Sequence, residues 1–193
     1  MTNSERATFN RMTEATPEDM AIFYRVKDLS RAEFPSHLMS MLALLAKKSD
    51  GSPIDGYAHS LQSASLAYED GADDETVFIA LFHDIGQLVA EENHSEVSAA
   101  ILKPYISEQG HWVVKHHAAF QMHYYGEAAG KDAHAREVFS EHPHYQACID
   151  FCEKYDQCAF DREYKSKPAE FFLPLVERVI EARASSSMTT GRA

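Results

Sequence analysis

His83 and Asp84 adjoin one another inside the run Phe78-Ile79-Ala80-Leu81-Phe82-His83-Asp84-Ile85-Gly86-Gln87. An imidazole beside a carboxylate at the end of an apolar helix has one ready use, the ligation of a metal ion. A lone His59 precedes the pair, His94 and the doublet His116-His117 follow it, and Asp156 closes the series within Lys154-Tyr155-Asp156-Gln157. That order supplies donors for two ions. One is assigned to His59, His83, Asp84 and Asp156, the four catalytic candidates, and a second to Asp84, His94 and His117, with His116 competing for the last place. Nitrogen and oxygen donors without thiolate suit iron, manganese, zinc or nickel, and argue against structural zinc of the Cys-rich kind. Six protein ligands shared by two ions leave coordination positions open, which is the form of a catalytic site.

Each residue alone is weak evidence, because imidazole is found buried about as readily as exposed. His111, His123, His134, His142 and His144 are therefore read as ordinary core or surface groups. The six candidates differ in falling one after another on successive helical segments, as ligands in a helical bundle do. Adjacent positions of a helix point about 100° apart, so His83 and Asp84 serve one centre only if it lies against the helix wall, where a short carboxylate can bridge two ions.

The elements that must position these groups are helical throughout. No run shows the alternating pattern of a strand, and Pro and Gly clusters divide the chain into helical segments. Thr16-Pro17-Glu18-Asp19 reads as a helix start leading into Met20 to Val26, and a second helix is expected from Ser36 to Lys47, broken by Asp50-Gly51-Ser52-Pro53. Further helices are expected over 55–69, 75–89, 95–105, 109–124, 144–157 and 169–184, with Asp73-Asp74-Glu75 capping the one that carries the His-Asp pair. That segment is apolar nearly all round, as the buried middle helix of a bundle is. The expected organisation is one domain over residues 1–184, with N-terminal helices 17–48, a metal-binding core 55–158 and a C-terminal helix 169–184. Residues 185–193, small and polar, read as a flexible tail.

A chain of 193 residues is long enough to bury a core without covalent staples, and 45% apolar with 25% charged residues is ordinary for a globular protein. The net charge is −12, from 18 Lys plus Arg against 30 Asp plus Glu, so the long-range field repels polyanions and excludes nucleic acid as the expected partner. No uninterrupted apolar run approaches the roughly 18 residues that span a bilayer, and Met1-Thr2-Asn3-Ser4-Glu5-Arg6 lacks the regions of a signal peptide, so a cytoplasmic protein with no membrane partner is expected. Cys148, Cys152 and Cys158 are an odd set without the spacing of a disulfide or zinc framework, and read as reduced, half-buried thiols. The oligomeric state has no signature here.

Over residues 57–156 the chain resembles the HD-domain metalloprotein superfamily, in which the His-Asp pair recurs; the resemblance implies an all-α HD-domain bundle around a dinuclear metal site. Most members are metal-dependent phosphohydrolases. A smaller branch, which includes myo-inositol oxygenase and the oxygenases that cleave the carbon–phosphorus bond of 1-hydroxy-2-aminoethylphosphonate, uses a mixed-valence Fe2+/Fe3+ pair and dioxygen as co-substrate. His59-Ser60-Leu61-Gln62-Ser63-Ala64 is similar to the H-[SA]-L-Q-x-A stretch around the first ligand of that branch, and Asn93-His94-Ser95-Glu96 resembles its next ligand segment. His117 and His123 repeat the spacing of two histidines seen in inositol oxygenase, and Lys154-Tyr155-Asp156 looks like its final ligand setting.

The specificity residues depart from these relatives. Gln87 stands where inositol oxygenase has Lys and the aminophosphonate enzyme has His. Gln121 replaces a Lys of the latter, and Ser49 and Ser52 stand where it has a Tyr-x-x-Glu lid. The resemblance thus implies a diiron oxygenase that cleaves a C–P or C–C bond beside a hydroxyl-bearing carbon of a small polar substrate, a hydroxyalkylphosphonate by preference, with a place in phosphonate catabolism. Gln87 and Gln121 are candidate polar contacts, and Phe120, Tyr124 and Tyr125 a candidate aromatic wall for an ammonium group. The alternatives are an HD-type phosphohydrolase acting on a phosphate ester or nucleotide, and an inactive scaffold. Only Lys103 and Lys115 lie between His59 and His117 to meet a phosphate, and no ligand position is missing.

Overall fold

The computed structural model describes residues 6–47 and 51–190, with side chains through residue 183. Every regular element among the described residues is helical, in agreement with the all-α reading. Contacts gather the chain into two units, Met1–His37 and Leu38–Ala193.

In the first unit a short 3-10 turn (Met12–Glu14) leads to helix α1 (Pro17–Ala32). The start of α1 is legible in its chemistry. Thr16 accepts from the backbone of Asp19, Asp19 accepts in return from Thr16, and Pro17 occupies the position where its missing N–H costs nothing. The second carboxylate oxygen of Asp19 takes the backbone N–H of Thr8 at 2.7 Å, so one buried side chain ties the leading segment to the helix.

Helix α2 (Phe34–Leu44) begins in that unit and ends in the second, where it tightens into a 3-10 turn, Leu45–Lys47. The second unit continues with α3 (Gly56–Glu69), α4 (Asp74–Phe82), α5 (His94–Leu102), α6 (Glu108–Tyr125), α7 (Tyr145–Phe151) and α8 (Ala169–Thr190). The helical backbone of α8 thus runs past Ala184, and residues 191–193 lie outside the described part. Three of these helices are opened by side chains that accept a backbone N–H of the first turn. Asp55 takes Ala58 at 2.8 Å, Asp73 takes Thr76 at 2.8 Å and Ser107 takes Gly110 at 3.0 Å.

The middle of the second unit is α4, whose residues Val77 to Phe82 are all buried. Phe78 and Phe82 are fully covered and meet edge to face with centroids 5.0 Å apart; each such burial contributes about 1.5 to 3 kcal/mol. Helix α3 packs against α4, and its small residues Ser60, Ser63, Ala64 and Ala67 are all buried.

Two departures from the sequence reading bear on the site. The expected helix over 75–89 is not continuous. It ends at Phe82, His83 caps it, Asp84 takes φ −104° and ψ 3°, and a 3-10 turn spans Ile85–Leu88. His83 and Asp84 are therefore set by a break in the helix and not by its 100° step. The expected helix over 144–157 also changes form, since α7 passes into a π-helical turn, Cys152–Asp156, closed by Gln157 N–H on the carbonyl of Cys152 at 3.0 Å. One extra residue in the turn re-aims Asp156, the use to which such bulges are put at functional sites. A 3-10 turn over Ala135–Phe139 has no counterpart in the sequence reading, being too short to show periodicity.

Candidate metal centre

Four imidazoles and two carboxylates converge from α3, the α4 terminus, α5, α6 and the π turn. His59 lies in the first turn of α3, His83 and Asp84 follow α4, His94 opens α5, His117 is in α6 and Asp156 ends the π turn. Each imidazole is fixed by its Nδ1, which donates to a backbone carbonyl: His59 to Ala159 at 3.0 Å, His83 to Ala80 at 3.0 Å, His94 to Glu91 at 2.9 Å and His117 to Val114 at 2.7 Å. With Nδ1 donating outward, each ring turns Nε2 inward.

The inward atoms form two groups that share Asp84. On one side His59 Nε2 stands 3.2 Å from His83 Nε2 and 3.2 Å from Asp156 Oδ1, with Asp84 Oδ2 at 3.8 Å from His59 and 3.7 Å from His83. On the other, Asp84 Oδ1 is 3.3 Å from His94 Nε2 and 3.2 Å from His117 Nε2, which are 3.3 Å apart. Ligands about 2.1 Å from one ion stand roughly 3.0 to 3.4 Å from each other in octahedral or tetrahedral arrangements. Apart from Asp84 Oδ2, at 3.7 and 3.8 Å, the spacing is compatible with a ligand shell.

The charge state points the same way. Nearly every atom facing the centre is an acceptor, and the buried Asp156 Oδ2 has no hydrogen-bond partner at all. Burial opposes ionisation of His83, but the carboxylates of Asp84 and Asp156 outweigh it and push the imidazole up to about 9. Against the same burial, His83 and its neighbouring histidines hold Asp84 and Asp156 below the usual carboxylate range. The cluster thus binds positive charge, and His59, His83 and Asp156, or His83, Asp84 and His117, could hold a metal ion.

His116, the competitor of His117, faces away from the centre and packs on Trp112 and Phe139, with centroids 4.6 and 4.7 Å distant. Two buried thiols anchor the neighbouring backbone: Cys148 donates to the carbonyl of Val113 and Cys152 to that of His117, at 3.8 and 3.7 Å. The half-buried expectation is corrected for this pair, which is fully buried, while Cys158 is exposed.

A cavity of about 570 Å³ opens onto the cluster. Gln87, Gln121, Tyr124 and Tyr125 line it, as does Ser52, whereas Ser49 lies outside the described residues. Phe120 does not line it. It is fully buried against Trp112, Phe139 and Tyr145, because its position on α6 turns it toward the 3-10 turn and α7, so the aromatic wall expected of it belongs to the core. The amide of Gln87 is directed at Asp84 Oδ2, 2.9 Å away.

Sequence reasoning passed over four contributors. Phe160 stacks on the His59 ring at 4.7 Å and forms part of the cavity wall. Asp55 and Glu91 add carboxylates to the lining, and among the described lining residues none is Lys or Arg. Gly86 is the fourth. A side chain there would overlap the carbonyl oxygen of His94 and come within 2.9 Å of Ser98 N, while its own N–H donates to Ser98 Oγ at 2.9 Å. Only glycine lets the 3-10 turn lie flat on the start of α5 and so brings His94 to Asp84. The glycine two positions after Asp84 was the available signal.

No described helix is long and apolar enough to cross a membrane. A comparison with curated proteins finds no match for the chain. The HD domain matches residues 56–156, just over half the sequence, beginning at the first residue of α3 and ending on Asp156, so the matched span holds all six converging side chains. With that coverage and this geometry, the chain belongs to the HD domain family.

Proposed function

We propose that this protein is a non-haem diiron oxygenase, cleaving a C–P or C–C bond beside a hydroxyl-bearing carbon of a small polar substrate, with hydroxyalkylphosphonates as the preferred class. The observation that carries the reading is one carboxylate, Asp84, with an oxygen toward each of two donor groups, beneath a cavity whose described lining residues include carboxylates and aromatics but no Lys or Arg. Two irons, held by His59, His83, Asp84 and Asp156 and by Asp84, His94 and His117, would supply Lewis acidity for the substrate hydroxyl and the redox capacity for dioxygen.

The chain's own residues do the rest. Backbone carbonyls of Ala159, Ala80, Glu91 and Val114 keep each imidazole in the tautomer that presents Nε2. Gln121 offers a polar contact in the cavity, and Tyr124, Tyr125 and Phe160 line it as candidate aromatic contacts for an organic cation. Among the described lining residues the carboxylates of Asp55 and Glu91 disfavour a highly charged polyphosphate such as a nucleotide, and the single anionic group of a small phosphonate would be met by the metal ions. The overall change needs no added reductant: a 1-hydroxyalkylphosphonate and one dioxygen give a carboxylate, a phosphate and a proton, one oxygen atom entering each product.

Oxygen-electrode screening of the iron-loaded protein across hydroxyphosphonates and polyols tests this, beside Mössbauer and EPR spectra of anaerobically purified material. Substrate-dependent oxygen uptake, with phosphate release that requires oxygen and is lost in Asp156→Ala, is the expected result. Rapid anaerobic phosphate release from phosphomonoesters or nucleotides, without oxygen uptake, would replace it with the phosphohydrolase reading.

A further inference from the structure

We propose that Gln87 is a positioning residue for the metal centre: its side-chain amide holds Asp84 Oδ2 on the His59–His83 side and so assigns the two oxygens of that carboxylate to different ions. This rests on the dinuclear reading above and deepens it.

A carboxylate between two donor groups has two options. It can spread one oxygen to each ion, or rotate and chelate one ion with both. Asp84 has only two side-chain torsions, and the terminal one turns easily in a broad well. Something must select the bridge. The histidines would not, because with ions bound each Nε2 is a ligand and has no proton to donate to Asp84. Gln87 is a donor in the right place. It follows Asp84 by three residues across a turn closed by Gln87 N–H on the Asp84 carbonyl at 2.9 Å. In 3-10 geometry side chains three apart eclipse one another, so the Gln87 side chain returns over the residue that needs it.

The orientation of the amide is set by its two neighbours. A carboxylate oxygen 2.9 Å away accepts only from the NH2 end, so the amide oxygen is turned to the first residue of α3, where a methyl on Gly56 would come within 3.5 Å of it. The donor reaches Oδ2, which lies 3.7 and 3.8 Å from His83 and His59, and leaves Oδ1 to His94 and His117 at 3.3 and 3.2 Å. Gln87 is half-buried on the cavity wall. The side chain expected from sequence to grip substrate is thereby spent, in at least one of its two N–H bonds, on the ligand.

The test titrates Mn2+ into metal-free protein and records the EPR spectrum of the loaded form. Wild type is expected to take two ions per chain and give the spectrum of an exchange-coupled pair. Gln87→Met keeps the length of the side chain and removes the donor; Gln87→Ala serves the same purpose if the Met variant does not fold. Either is expected to bind the second Mn2+ at least tenfold more weakly and to show isolated ions, with the first affinity kept within about twofold. Gln87→Lys restores an N–H donor and should restore the coupled spectrum. Unchanged second-ion affinity and coupling in both Gln87→Met and Gln87→Ala would overturn the positioning role while leaving the dinuclear reading intact. A single uncoupled Mn2+ in wild type would overturn both.

Discussion

Asp84 Oδ1, just beyond the end of α4, lies 3.2 Å from His117 Nε2 on α6, across 33 residues of sequence. The contact links the break after α4 to the middle of α6, and it makes the Asp84 carboxylate common to both donor groups. Removing either side of it has separate consequences for each group.

His117→Ala should lose the ion on the His94 side and keep the other, whereas His116→Ala should keep both. His116 spends its ring on Trp112 and Phe139, so its loss costs packing and not ligation. Metal stoichiometry of the two variants by elemental analysis checks this, and the reverse pattern would move the ligand to His116.

His83→Ala and Asp84→Ala should each abolish stable metal binding and lower the stability of the metal-free protein. Both side chains are buried; His83→Ala leaves the Asp84 and Asp156 carboxylates without their main counter-charge, a loss of about 3 to 5 kcal/mol, while Asp84→Ala leaves Asp156 facing His83 and should cost less. Chemical denaturation of chelator-treated variants measures it; either variant retaining two ions with wild-type stability would show that the cluster is not the metal site.

Gly86→Ala should resemble a ligand mutation although it removes no donor. The added carbon overlaps the His94 carbonyl, so α5 must retreat, at about 1 to 3 kcal/mol, and His94 retreats with it. Reduced melting temperature together with loss of the ion on the His94 side is expected. Full occupancy of both positions in a stable variant would separate Gly86 from the site.

In metal-free protein, stability should fall as pH rises from neutrality toward 10. His83 is raised from 6.5 to about 9 in the fold. Its contribution is complete below about pH 6.5 and disappears as pH passes through 9, on the order of 3 kcal/mol in all. Asp84 and Asp156, held below the usual range, act in the opposite window: their contribution is present above about pH 4 and lost on acidification. Thermal melts at pH 6.5 and 9.5, with and without Mn2+, test the first limb. The bound ion replaces the proton, so the loaded protein should show the smaller alkaline loss, and a chelated protein as stable at 9.5 as at 6.5 would refute the protonated His83.

Much of the fold was written in local chemistry. Asp55, Asp73, Ser107 and the Thr16–Asp19 box start their helices by accepting backbone N–H groups close in sequence, and the unbroken apolar run from Val77 to Phe82 can only be buried. The six converging residues were legible too, because their types are costly to bury without one another. What tertiary structure decided was direction. Whether His116 or His117 turns inward depends on what covers each face of α6, and Phe120 was drawn into the core by Trp112 and Phe139, residues whose proximity no local pattern records. The break that aims Asp84, the extra residue that re-aims Asp156 and the flat approach of Gly86 to His94 follow from packing between segments far apart in the chain. A sequence shows which side chains can hold an ion; only the meeting of distant backbones fixes which of their atoms face it.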